Sequence, residues 1–205
     1  MKKVILLIIT IVAVFMITPI RGSSQNIKDF FFQEKHIYTL TDGKNQTETY
    51  QIQRYDKHTV YLVYTLSIKH QTIRTISIKL QFQKNRITSE FIRMTGISGS
   101  INQKSKITVL ALPGKKGNNC WTNRTSKERT EYTCKYIELT LNGQHSYKAL
   151  QVSRKSLDLS SNKTVAPEEI SFYVKEMGLI LKTDGKNILS YSTALNYIPN
   201  QIEVK

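Results

Sequence analysis

The residues best suited to chemistry are two cysteines, Cys120 and Cys134, separated by the polar stretch WTNRTSKERTEYT. No histidine lies between them, so the pair lacks the spacing of a structural zinc site. A nucleophilic thiol would need a neighbouring base, and the nearest histidine in sequence, His145, has nothing to mark it as one. Oxidation to a disulfide is the remaining reading, because both cysteines follow an export-type N-terminus and thiols pair in oxidising compartments. The charged centre Lys127-Glu128-Arg129 suits a hairpin tip between two antiparallel strands. Closing so short a loop would stabilise the chain by about 3 kcal/mol.

Other motif-like stretches fail on spacing. In GISGS, residues 96–100, a glycine immediately follows Ser98, so the strand-to-helix turn of a serine nucleophile is not encoded. GKKGNN, residues 114–119, has no Gly-Lys-Ser/Thr ending with which to cradle a phosphate. His36, His58, His70 and His145 are scattered, and neighbours Glu168 and Glu169 would point to opposite faces of a strand. No catalytic residue, metal site or cofactor is therefore implied. The sequence TDGKN occurs twice, at 41–45 and 183–187, without the alternating acidic ligands of a calcium loop. The flanks of the two copies differ, so both are read as tight turns, in which Asp-Gly tolerates positive φ. Asn45, Asn123 and Asn162 head Asn-x-Thr sequons in expected turns or loops, and are read as unmodified in a chain of bacterial style.

The elements that must position these residues are strands. Beyond residue 35 the chain alternates and is rich in Thr, Ile, Val, Tyr and Phe. Val60, Leu62, Tyr64 and Leu66 share one face, as do Ile76, Ile78, Leu80 and Phe82, with polar residues opposite. Further strands are expected at 36–41, 47–54, 86–94, 106–112, 131–141, 146–154, 170–175, 178–183 and 187–193. Short joints at 42–45, 55–58, 83–85, 142–143 and 184–187 connect them. Helical turns are expected only over Asn26–Gln33 and within 156–169, the latter reading more as a long loop. The fold class is all-β: an antiparallel meander forming a strongly curved sheet or half-barrel, with few short helices.

The N-terminus reads as a secretory signal, with Lys2 and Lys3 ahead of the apolar run Val4–Ile20 and then Gly22–Ser24. Residues 1–24 are read as a signal peptide cut near Ser24, or else as an uncleaved anchor, the only membrane contact expected. Residues 25–205 then form a single β domain, secreted or at the cell surface. The whole chain carries 30 basic and 15 acidic residues, a formal net charge of +15. That excess is dispersed, which fits either a solvated surface or attraction to an anionic partner such as a wall polymer or lipid headgroups. Export and the lack of a recognition motif argue against nucleic acid.

Three stretches in order, DFFFQEKHIYTLTD, VLALPGKKGNNCW and FYVKEMGLILKT, resemble a group of bacterial secreted proteins and lipoproteins built on meandering β domains. The group's fold is similar to the half-barrels of periplasmic lipoprotein carriers. The resemblance implies a concave face able to hold an apolar ligand, with no catalytic residue carried over. This chain departs from the group in lacking a lipobox cysteine. Candidate ligand-face residues, chosen from the apolar faces, are Leu62, Tyr64, Ile78, Leu80, Phe82, Leu110, Phe172 and Leu179. The functional reading is an exported, non-catalytic β domain binding an extracellular partner or apolar ligand. The alternatives are a cationic surface protein binding anionic polymer or headgroups, and an exported hydrolase without a recognisable motif.

Overall fold

The structure is a computed structural model that describes residues 26–32, 37–56, 58–96, 99–103, 106–114 and 119–205. The export segment, His36, Ser98, residues 115–118 of GKKGNN and the Cys120 side chain lie outside the described residues. After a 3₁₀ turn, Ile27–Phe30, come fourteen strands. These are β1 (Ile37–Thr41), β2 (Gln46–Tyr55), β3 (Thr59–Ile68), β4 (Gln71–Gln83), β5 (Arg86–Gly96), β6 (Gly99–Gln103) and β7 (Ile107–Ala111). The second half holds β8 (Asn119–Arg124), β9 (Glu128–Leu141), β10 (His145–Asp158), β11 (Glu169–Val174), β12 (Gly178–Thr183), β13 (Ile188–Ser192) and β14 (Ile202–Val204).

All pairings are antiparallel, in the order β14-β9-β10-β11-β12-β13-β1-β2-β3-β4-β5-β6, with β7 also on β5 and β8 also on β9. The expected all-β meander is therefore the observed fold. Two of the three short edge strands, β6 and β14, were not expected from the sequence, while β8 is the first arm of the hairpin read between the two cysteines. Each lies along the free edge of a longer strand, β5 or β9, whose unpaired backbone groups they satisfy. The region 156–169 contains no helix: β10 continues to Asp158, and Thr164 bridges back to Leu157.

The sheet rolls until its ends meet. No backbone ladder joins β7 to β8, but the Asn123 amide replaces one. Its Oδ1 accepts from the Thr108 N–H at 3.1 Å and its Nδ2 donates to the Thr108 carbonyl at 2.8 Å. Trp121 Nε1 donates to the same carbonyl at 3.2 Å, and its indole stacks on the cross-strand Tyr132 with centroids 4.8 Å apart. An asparagine engaged at both ends is a poor glycan acceptor, so the sequon at Asn123 is explained by packing.

Two cores follow from the rolling. The inner face gathers Leu40, Val60, Leu80, Ile87, Leu110 and Leu150, all essentially inaccessible. The N-terminal aromatics fill it. Phe31 packs edge-on against Phe82, Phe32 lies over Tyr38 and Tyr50, and Phe30 reaches Tyr136. Gly178 explains how they fit. Its φ is +72°, and a Cβ there would sit 3.0 Å from the Phe32 ring. The Glu176 N–H also donates to the Asp29 carbonyl at 2.8 Å, tying the turn before β12 to the 3₁₀ segment. The second core lies on the outer face of β9–β13, around Leu139, Leu141, Phe172, Ile180 and Leu181. The C-terminal segment covers part of it, burying Leu195 and latching onto Asn142. That side chain accepts from the Asn200 and Gln201 N–H groups and donates to the Ile198 carbonyl.

Candidate functional site

Seven of the eight candidate ligand-face residues lie on the inner face. Leu62, Leu80, Phe82, Leu110 and Leu179 are buried members of the inner core, and Ile78 packs against it. Tyr64 sits beside Tyr50, ring to ring at 5.1 Å. Phe172 belongs elsewhere: it is in the outer core, registered with Gln151 and Leu181, while its neighbour Tyr173 takes the inward position beside Leu150 and Leu179. Leu62 and Ile78 also border a cleft of about 250 Å³ with Gln53 and Arg93. Leu80, Phe82, Leu110 and Leu179 are buried in one cluster with Phe30, Phe31 and Phe32.

A polar cluster that the sequence did not reveal also lies inside. Glu48 on β2 is in register with Leu40 and Leu66, on the parity of the core, and its side chain is 7% exposed. Lys182 on β12 donates to Glu48 Oε2 at 2.6 Å and to the Tyr50 hydroxyl at 3.1 Å. Tyr50 in turn donates to Glu48 Oε2 at 2.9 Å, and Ser190, cross-strand from Lys182, reaches Glu48 Oε1 at 3.5 Å. Burial, and secondarily Glu48, holds the Tyr50 hydroxyl well above its ordinary pKa. The same causes, in the same order, push Tyr64 up to about 12. Burial likewise raises Tyr173. These phenols stay protonated at neutral pH, so Tyr50 can donate to Glu48 and all three act as neutral filler for the interior.

The cysteines lie on neighbouring strands. Cys120 is opposite Thr133, and Cys134, buried in the inner core, is opposite Asn119. The two positions are offset by one residue in the ladder, so a bond between them would require β8 to slip or bulge by one residue. Of the carboxylate pair, Glu169 faces Arg154 at 3.6 Å in a surface ion pair. His145 stacks on Tyr197 at 4.1 Å. Among the described residues, no three His, Cys, Asp or Glu side chains form a group that could hold a metal ion.

On the outer face lies a groove of about 1050 Å³ between the C-terminal segment and the edge of the sheet formed by turns. Its floor includes Gln151, Ile170 and Phe172, and Lys44, Lys135 and Lys186 stand around it. Among the described residues, no acidic residue lines it. Lys44 and Lys186 come from the two TDGKN turns, which are built alike. In each, the threonine Oγ accepts from the glycine N–H at 3.0 Å. In each, too, the aspartate Oδ1 accepts from the N–H groups of the lysine and the asparagine, at 2.6 to 3.0 Å. Because β1 pairs with β13, Thr41 opposite Tyr191, the two turns emerge side by side.

No family model matches the chain, and no curated protein matches it. Among solved structures it is similar to a Bacteroides fragilis protein with a YmcC-like fold, inferred to be exported. The identity is 13% and the TM-score 0.44, over 85% of this chain and 99% of that one. A likeness at that level carries no weight on function. The class is set by the strands themselves: a rolled, open, antiparallel all-β sheet with a self-filled interior.

Proposed function

We propose that the protein is exported and acts as a non-catalytic β domain whose outer surface binds an anionic partner outside the cell. The observation that carries this reading is the filling of the inner face by Phe30, Phe31 and Phe32, which leaves recognition to the outside. The lysine-ringed groove, with no acidic residue in its described lining, and the net charge of residues 25–205, 27 basic against 15 acidic, support an anionic partner. Export is supported by Lys2, Lys3 and the apolar run behind them.

The test is chromatography of the exported protein on immobilised anionic polymer, paired with native mass spectrometry. Retention at low ionic strength that is lost as salt rises is the expected result. Flow-through at low salt would overturn the proposal. So would a lipid carried through purification, which would restore the apolar-ligand reading of the inner face.

A further inference from the structure

We infer that the outer groove is a binding site for an extended, hydroxyl-bearing polyanion: a glycan chain carrying carboxylate or phosphate groups. This deepens the reading above and rests on its anionic partner.

Four observations converge. First, the groove's volume of about 1050 Å³ is at the upper end of the range for ligand pockets, and it is open, which suits a chain passing through. Second, the cations are spread around it. Lys135 comes from β9, Lys44 from the β1–β2 turn and Lys186 from the β12–β13 turn, so successive charges along a polymer could each meet one. Third, the acidic residues of those two turns are already engaged. Asp42 and Asp184 spend their Oδ1 atoms on their own turns' N–H groups. The turns thus hold the lysine backbones in place through internal hydrogen bonds.

The fourth observation selects a polyol over a bare polyanion. Gln151 lines the groove, in register with Lys135 on one side and Phe172 on the other. Its Oε1 is shielded from solvent and has no hydrogen-bond partner. An acceptor left unpaired at this depth is costly, and rotation of the Gln151 side chain toward the groove it lines would bring that oxygen to a ligand hydroxyl. The isoleucines in its otherwise mainly polar lining, Ile170, Ile188 and Ile202, suit the C–H faces of sugar rings. The repeated TDGKN sequence then has a shared purpose: two equivalent turns place two lysines at one mouth.

The experiment uses three probes on the exported protein: polyuronate oligosaccharides, neutral glucan oligosaccharides of the same length, and inorganic polyphosphate. Polyuronate is expected to bind more tightly than polyphosphate, with the glucan weakest. The pair K44Q/K186Q is expected to weaken polyuronate binding by about tenfold. The charge-matched pair K69Q/K106Q, on exposed residues outside the groove, is expected to weaken it far less. Q151L should weaken polyuronate and leave polyphosphate unchanged. Equal losses in the two lysine pairs would overturn the site while leaving the anionic partner standing. An equal effect of Q151L on both anions would overturn the glycan. Failure of the wild-type protein to bind either anion would overturn the parent reading.

Discussion

Replacing Lys182 with methionine should be among the most damaging single changes on the inner face. The substitution keeps the aliphatic stem and removes the ammonium, which donates to Glu48 at 2.6 Å and to Tyr50 at 3.1 Å. Glu48 is left as a carboxylate with 7% side-chain exposure, still holding the Tyr50 hydroxyl at 2.9 Å and Ser190 at 3.5 Å. Breaking a buried pair by deleting one partner costs about 3–5 kcal/mol, and the two surviving donors place this case near the lower end. The reverse change, E48Q, should cost less, because Lys182 is 14% exposed and an amide still accepts a hydrogen bond. The double variant K182M/E48Q should recover about 1–2 kcal/mol relative to the sum of the singles. Urea unfolding followed by tryptophan fluorescence measures all three, since Trp121 is buried in the same inner core. A K182M cost below about 1 kcal/mol, or additivity within about 0.3–0.5 kcal/mol, would refute the picture of a coupled buried pair.

Three further outcomes follow from the packing and the turns. G178A should cost about 2–3 kcal/mol, combining its positive φ with the Phe32 ring 3.0 Å from the new methyl. G143A, at φ +66° with open space, should cost only about 1 kcal/mol, so the difference in urea unfolding isolates the Phe32 contact. N123A should open the β7–β8 seam, lowering stability by about 1–2 kcal/mol and speeding hydrogen exchange at the Thr108 amide; unchanged exchange would contradict the seam. The carboxyls of Asp158 and Asp184 are held down to about 2 by hydrogen bonds, from Ser160 and Ser161 in one case and the Asn187 backbone and side chain in the other. Because the folded values are depressed, their stabilisation is present above the unfolded value of about 3.9 and is lost as pH falls through about 2. D158N/D184N should flatten the acid limb of stability against pH over that window, and an unaltered limb would contradict the assignment.

Alternation along β3 and β4 was legible because one face is apolar and the other wet. In β11 it was not. Phe172 and Tyr173 are both largely covered, one by the outer core and one by the inner, so parity alone could not tell which was which. The edge strands GSINQ and IEV carry too little pattern to announce themselves; the open edges of β5 and β9 impose their conformation. The run of Phe30–Phe32 was visible, but its destination depends on Gly178, far along the chain. Glu48 did leave a trace, as a charge on the same parity as Tyr50 and Ile52, yet its partner lies 134 residues away. The chemistry of the TDGKN turns could be read locally. Their adjacency could not, because it follows from β1 pairing with β13.

The most direct test is chemical-shift mapping of the protein titrated with polyuronate oligosaccharides. Changes are expected at the amides and side chains of Lys44, Lys135, Gln151 and Lys186, with the methyl groups of Leu80, Leu110 and Leu179 unmoved. Changes concentrated on those inner-face methyls, with the outer groove silent, would contradict the outer-groove site.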